Sequence, residues 1–162
     1  MKMGIEFFRP FVEGTKNTLK AQCQIGALTE KPFFKSSGPK VLFEIAAVIG
    51  LTGKNFTGSI ALCFPKEVFL KVMTNMLGEP YTDITDDMQD GAAELLNMIF
   101  GQAKIVLNEA GYEIEKAIPT VIKGHQIETQ HPADRPVLVF PFRTEAGVFH
   151  IEIVTEQKAD SK

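Results

Sequence analysis

Glu94 and Asn97 are the residues whose types and spacing could do chemistry. A carboxylate and a carboxamide three positions apart lie side by side on a helix, about 5–6 Å between Cβ atoms. Spacing alone also fits two polar residues on a solvated surface. Two apolar residues, Met98 and Ile105, border the same face, and Gly101 follows one turn later although a mid-helix glycine costs about 1 kcal/mol relative to alanine. An acid and an amide with these neighbours fit a surface on which another protein docks.

A long helix over residues 86–111 must position this pair. Its apolar residues recur with helical period along one face, which predicts a helix docked on a core, roughly 39 Å long at about 1.5 Å per residue. That apolar face comprises Met88, Ala92, Leu96, Ile99, Ala103, Val106 and Ala110. The opposite, polar face comprises Asp87, Asp90, Glu94, Asn97, Gly101, Lys104 and Asn108. Thr85 is predicted to cap the helix, and acidic residues in its first turn favour its positive end.

The remaining elements follow from periodicity, glycine and proline. Residues 5–25 open with aromatic residues and then space their apolar residues helically, which predicts a first helix with Pro10 in its first turn. A second helix spans residues 66–77, with Pro65 before it and Gly78 after it. Gly58, inside a strand, predicts a bulge or the close approach of another backbone. The predicted strands are residues 32–35, 41–51, 55–64, 112–122, 137–142 and 147–155, with a break at Pro119 in the fourth of them. A polar loop is predicted over 125–135 and a frayed tail over 157–162.

The fold class follows from the order of these elements. Helices grouped between blocks of strands, with hairpin links, predict an α+β fold in which a mainly antiparallel sheet packs against two or three helices. At 162 residues the chain is expected to form a single domain over residues 1–162. Thirteen phenylalanines and no tryptophan indicate a core built from Phe, Ile, Leu and Val.

Composition excludes several function classes. A net charge of −3 gives no basic footprint for nucleic acid. The apolar runs are far shorter than the roughly 20 residues that a membrane span needs, and no signal-type segment follows the first residues. Cys23 and Cys63 lie far apart without metal-type spacing, which predicts two buried thiols in a cytoplasmic protein.

Other catalytic motifs are absent from the sequence, which has no glycine-rich phosphate loop, no HExxH and no GxSxG. Three histidines, His125, His131 and His150, are more simply explained as solvated or structural residues than as a metal site. The acidic residues at positions 83–90 fit a helix start better than a cation site. No metal and no cofactor of its own is therefore expected for this chain.

Several segments resemble the CheC/CheX/FliY phosphatases. The stretch DGAAELLNMIFG (residues 90–101) is similar to the signature helix of that family, with an acidic residue, then ExxN, then glycine. The similarity extends to PFVEGTKN (10–17), IGLTGKNFTGSIALCFPKEV (49–68), MLGE (76–79), IPTV (118–121) followed by Gly124, and the PFRTEAGVF stretch (141–149). The first helix has Glu13 and Asn17 four apart instead of a second ExxN, which favours the CheX branch with one site per chain.

The resemblance implies a CheC-like fold and a hydrolase that removes the aspartyl phosphate from a CheY-type receiver domain. It implies that Asn97 orients the attacking water and that Glu94 forms a salt bridge to a lysine of the partner's site. Asp90, Met98, Gly101 and Ile105 would then contact the partner. The receiver domain would hold the Mg²⁺. This chain would need few catalytic groups of its own, because phosphoryl transfer relies mainly on positioning and charge neutralisation.

The resemblance also implies a homodimer with two sheets joined at an edge, at residues 137–142 or 147–154. An alternative function is a non-catalytic, flagellar-switch-like adaptor that binds a receiver domain without hydrolysis. A small-molecule or metal-binding α+β domain is a third possibility. The intact Glu94 and Asn97 pair favours the phosphatase, because a scaffold does not need that geometry.

Overall fold

Three helices and eight strands form the described part of the chain, residues 4–116, 118–130 and 135–157 of a computed structural model. His131 and residues 158–162 of the predicted tail lie outside the described residues. Gln157, the first residue of that predicted tail, is instead the last residue of a strand and pairs with Phe56. The helices are α1 (Ile5–Cys23), α2 (Lys66–Leu77) and α3 (Gln89–Glu109). The strands are β1 (Leu28–Thr29), β2 (Phe33–Phe34), β3 (Phe43–Thr52), β4 (Phe56–Phe64), β5 (Glu115–Lys116), β6 (Thr120–Ile127), β7 (Val137–Thr144) and β8 (Gly147–Gln157).

The strands build one antiparallel sheet, which confirms the predicted α+β class. In the described residues its order is β1-β7-β8-β4-β3-β5, with β2 also paired to β7 and β6 also paired to β3. Strand β8 lies between β7 and β4, so the expectation that residues 147–154 form an edge is wrong. Strand β7 is also covered for part of its length, because the short strands β1 and β2 pair with it.

The segment after Ile114 differs from the predicted strand and loop. The predicted break at Pro119 is confirmed, since the short β5 ends before it and β6 begins after it, but β6 continues beyond residue 122, through His125 to Ile127. The predicted polar loop therefore begins later than residue 125. Most β6 side chains are exposed, because the strand lies at the margin of the sheet and pairs with β3. An exposed strand lacks the alternation of apolar and polar residues that identifies strands in sequence.

Helix α2 has the predicted limits. Pro65 has extended backbone (φ −64°, ψ 156°) directly before it, and Gly78 ends it at φ 78°, where its N–H donates to Thr74 O at 2.9 Å. The left-handed conformation is easy for glycine, since it has no Cβ.

Helix α1 begins earlier than the position of Pro10 predicts. Its first residue is Ile5, so Pro10 is the sixth residue and lies beyond the first turn. The early start is stabilised by Phe7, which is fully buried and contacts the rings of Phe56 and Tyr112 at centroid distances of 5.3 and 5.4 Å. Burial of a phenylalanine contributes about 1.5–3 kcal/mol, enough to offset the hydrogen bond that proline cannot donate.

The main core lies between one face of the sheet and the helices. It is rich in Phe, Ile, Leu and Val, as predicted, and includes the Cys23 side chain. Gly58 in β4 lies so close to β8 that a Cβ there would be 2.2 Å from Val154 O, which confirms the predicted close approach of another backbone.

The other face of the sheet carries a smaller apolar cluster and a buried ion pair. Cys63 belongs to this cluster and is fully buried. Nearby in β8, Glu152 is 1% exposed and binds Lys35 Nζ at 2.8 Å, and the Thr129 hydroxyl donates to its other oxygen. The segments that contain Lys35 and Thr129 are thereby held against the sheet.

Candidate functional site on helix α3

The start of α3 is held by ion pairs to neighbouring elements. A 3₁₀ turn (Asp86–Met88) precedes the helix, and the side chain of Thr85 makes no capping hydrogen bond, so the predicted Thr85 cap is wrong. Asp86 accepts a hydrogen bond from Lys123 Nζ of β6 at 2.9 Å, and Asp83 pairs with Lys66 Nζ of α2 at 3.1 Å. In each case the hydrogen bond to the lysine is the largest effect that lowers the pKa of the aspartate.

The buried face of α3 confirms the predicted amphipathic helix, with two corrections. Val106 is 52% exposed and Ala110 is exposed, although the helical period predicts both on the apolar face. An α-helix drifts by about 20° per seven residues, so the row that begins at Ala92 and Ile99 reaches the surface at Val106. Ala110 follows the last helical residue. The buried residues are Ala92, Leu95, Leu96, Ile99, Phe100, Ala103 and Leu107.

Helix α1 packs beside α3 and fixes its orientation on the sheet. Gly14 of α1 leaves room for the α3 backbone, since a Cβ there would be 3.1 Å from Ile99 O. One turn later, Gln102 Nε2 donates to Thr18 Oγ1 at 2.9 Å. These contacts lie on one flank of α3 and leave the face with Glu94 free of helix packing.

Glu94 and Asn97 differ in exposure. Glu94 is exposed, as predicted. Asn97 is half-buried, and its Oδ1 is enclosed and accepts no hydrogen bond from the described residues. The helical period places Asn97 on the polar face, but its oxygen does not face water. An enclosed acceptor without a donor costs about 1–3 kcal/mol.

The four predicted partner-binding residues lie around this pair. Asp90 and Gly101 are exposed, Ile105 is 64% exposed and Met98 is half-buried. A Cβ at Gly101 would meet no atom within 4 Å, so the packing of the described residues does not require glycine there. The exposed face of α3 thus combines a carboxylate, an amide, apolar side chains and a glycine without a side chain.

The histidines do not come together. His125 is exposed in β6, whereas His150 is half-buried in β8 on the sheet face opposite the helices. Burial lowers the pKa of His150, and Nδ1 of its ring has no hydrogen-bond partner in the described structure. Residues 4–116, 118–130 and 135–157 contain no group of three or more His, Cys, Asp or Glu side chains placed to hold a metal ion.

A groove of about 570 Å³ lies at the carboxyl-terminal end of α3, where sequence patterns offer little indication of one. It forms where the β3–β4 hairpin and the loop after α3 meet the helix. The one signal in the sequence is Asn108 shortly before Gly111, because asparagine side chains often bind backbone near helix ends. The lining residues are Thr52, Gly53, Lys54, Lys104, Asn108, Glu113, Ile114 and Glu115.

The arrangement on α3 can act on a ligand that brings its own pocket. Glu94 stands on a convex helix surface, where it can enter the cleft of another macromolecule. An amide can accept a hydrogen bond from a water and donate one to a phosphoryl oxygen, and a carboxylate can pair with a cation. A folded protein with a concave site is the ligand that this geometry fits best.

Comparison with known proteins places the chain among the chemotaxis proteins. A family model described as "Chemotaxis phosphatase CheX" matches residues 45–143, more than half of the chain. The chain therefore belongs to the CheX family of chemotaxis phosphatases. It is 31% identical over 86 residues to the CheY-P phosphatase CheX of Thermotoga maritima; the match covers 52% of this chain and 55% of that relative's length.

Solved structures share the fold over nearly the whole chain. A CheC-like superfamily protein from Shewanella sp. PV-4 is 30% identical with a TM-score of 0.88, covering 95% of this chain and 99% of that one. CheX of Borrelia burgdorferi, solved as a complex with CheY, BeF₃ and Mg²⁺, is 20% identical with a TM-score of 0.74, covering 93% and 97%. These likenesses confirm the CheC-like fold. No helix within the described residues is long and apolar enough to cross a membrane.

Proposed function

We propose that this chain hydrolyses the aspartyl phosphate of a CheY-type receiver domain and so ends a chemotaxis signal. The proposal is carried by one observation: in a CheX-family chain, an exposed Glu94 and an Asn97 with an unmet acceptor lie one turn apart on the accessible face of α3. It is further supported by the fold shared with the Borrelia CheX that was solved with CheY.

The chemistry asks little of the phosphatase. An acyl phosphate is already reactive, and catalysis consists mainly of in-line positioning and neutralisation of charge. In the proposed complex the Asn97 side chain changes rotamer so that the whole amide faces the receiver. Its oxygen accepts a hydrogen bond from a water and orients that water opposite the leaving carboxylate. Its NH₂ can donate to a phosphoryl oxygen. Mg²⁺ and the phosphoaspartate belong to the receiver. Because a water attacks the phosphoryl group, no covalent intermediate with this chain forms.

Glu94 has a binding role in this proposal. Its carboxylate would pair with a lysine of the receiver's site and so hold Asn97 over the phosphoryl group. Asp90, Met98, Gly101 and Ile105 would lie in the same interface, with Gly101 letting the receiver approach the helix backbone.

Phosphate release from a purified phosphorylated CheY-type receiver tests the assignment of Asn97. We expect Asn97→Ala to lower kcat by about 100-fold or more, the scale of losing one positioned polar group. The variant should unfold at no lower temperature than the wild type, because alanine favours the helix and removes an enclosed unpaired acceptor. Asn17→Ala on the exposed face of α1 is the matched control and should keep full activity. Retained turnover in Asn97→Ala would contradict the assigned role.

Glu94→Ala should act differently on the same assay. We expect a higher KM for the phosphorylated receiver, because a cross-interface ion pair is lost, with a smaller effect on kcat. Glu13→Ala in α1 is the matched control. Unchanged kinetics at limiting receiver concentration would remove Glu94 from the interface.

An adaptor that binds the receiver without hydrolysis would instead show binding by the wild type and no release of phosphate above the receiver's own rate.

A further inference from the structure

The groove at the carboxyl-terminal end of α3 has a rigid frame. Asn108 Oδ1 accepts a hydrogen bond from Ile114 N at 2.7 Å, which ties the loop after the helix back to α3. Lys54 N donates to Tyr112 O at 3.2 Å, which ties the β3–β4 hairpin to the same loop. Glu113 is held at φ 52°, a left-handed conformation that is uncommon for a residue with a Cβ. A groove held in this way loses little conformational entropy when it binds.

The groove carries charges that the described structure does not pair. Lys54 and Lys104 line it together with Glu113 and Glu115, and none of these four side chains makes an ion pair or hydrogen bond with the described residues. Charges of both signs disfavour a polyanion such as a nucleic acid, and the polar lining disfavours an apolar ligand. A polar segment of a folded protein, with charges of both signs, fits this chemistry.

The position of Lys104 links the groove to the site on α3. Asn97, Gly101 and Lys104 are spaced i, i+4 and i+7, so they follow one row of the helix, and Lys104 lies about 10.5 Å along the axis from Asn97. A specific interface covers about 800 Å² on each partner, a patch of roughly 16 Å radius. A protein seated on Glu94 and Asn97 therefore reaches the groove.

We propose that this groove receives a polar loop of the same receiver domain, next to its phosphorylated pocket, and that Lys54 and Lys104 select among receivers. The inference rests on the proposed function and adds a second contact region to it. The two lysines bind the partner and take no part in the hydrolysis, so they act on recognition and not on the chemical step.

Charge reversal of the two lysines tests the proposal kinetically. In phosphate-release assays with the full chain, Lys54→Glu and Lys104→Glu should each raise KM for the phosphorylated receiver roughly 2–5-fold, the usual scale for a charge at an interface rim. The kcat should stay within about twofold, and higher salt should reduce the difference from wild type. Lys71→Glu, an equal charge change on the exposed side of α2, should leave KM unchanged.

A binding measurement separates this inference from the proposed function. With a BeF₃-activated receiver, we expect NMR amide shifts in Thr52–Lys54 and in Glu113–Glu115 as well as around Glu94. Suppose that the wild type hydrolyses the receiver phosphate, that the KM values of Lys54→Glu and Lys104→Glu equal the wild-type value, and that the amide shifts of the groove residues do not change. The groove proposal is then overturned and the proposed function stands. If the wild type neither binds nor hydrolyses, the proposed function is overturned and this inference falls with it.

Discussion

Two side chains of the described structure hold an enclosed polar atom without a hydrogen-bond partner, Asn97 Oδ1 and His150 Nδ1. Buried polar groups are paired in most proteins, so each exception needs a physical reason. Asn97 lies beside the exposed Glu94, where a docked partner could reach it. His150 lies on the far face of the sheet, opposite Cys63 in the register of β4 and β8. Its unpaired nitrogen marks a cost of burial and not a contact surface.

The burial of His150 predicts a pH dependence of stability. Desolvation lowers the pKa of His150, and this outweighs the opposing effects of Glu152 and Glu30. The unfolded chain then binds a proton more readily, near its ordinary pKa of about 6.5. The stabilisation of the folded state by the neutral His150 ring is therefore complete at pH values above the unfolded pKa. It is lost as the pH falls from there toward the lower pKa of the folded state.

Denaturant unfolding at pH 7.5 and at pH 5.5 would measure this effect. We expect His150→Asn to lose less free energy of unfolding between the two pH values than the wild type does. An NMR titration of the His150 ring should give a pKa below that of a histidine in the unfolded chain. A ring that titrates at or above the unfolded value would contradict the prediction.

At the scale of elements, α3 contains a glycine, Gly101, at a position where the packing of the helix does not require one. A Cβ at Gly101 would meet open space, so Gly101→Ala should raise the free energy of unfolding by about 0.5–1 kcal/mol. The small alanine should cost little receiver affinity, whereas Gly101→Leu should keep the stability and raise KM by obstructing the approach of the receiver. Thermal unfolding and phosphate-release kinetics on the two variants separate these effects. Equal kinetics for Gly101→Leu and the wild type would show that no partner comes close there.

The sequence predicts best those elements that proline or glycine delimits. Pro65 marks the start of α2, because proline has no backbone N–H to donate. Gly78 marks its end, because it adopts the left-handed conformation. The extension of strand β6 beyond residue 122 is not predicted, because the strand is exposed at most positions and its sequence shows no alternation of apolar and polar residues. The helical period predicts that Glu94 is exposed, but it does not predict that the Asn97 oxygen is enclosed. Its burial depends on neighbouring elements, which a period along one helix does not contain.

The whole molecule presents a sheet with two unlike margins. On one side the short strands β1 and β2 cover part of β7, and on the other β6 pairs with β3. Ile118, just before β6, is 88% exposed, and Ile122 within it is 37% exposed. Exposed apolar residues at an open strand favour pairing with another sheet. Leu28 and Phe34 are also exposed at the opposite margin, but there β1 and β2 cover part of β7, and β8 lies inside the sheet. We therefore expect the predicted homodimer to join two chains through β6.

Light scattering after gel filtration can test this arrangement with two matched variants. Ile118→Asp changes the β6 margin and Leu28→Asp changes the opposite margin, and both residues are largely exposed, at 88% and 70%. We expect the wild type and Leu28→Asp to be dimers and Ile118→Asp to be monomeric, because a buried unpaired carboxylate opposes association. Dissociation by Leu28→Asp alone would move the interface to the β1 side. A monomeric wild type would rule out the dimer altogether, while leaving the one site per chain on α3 intact.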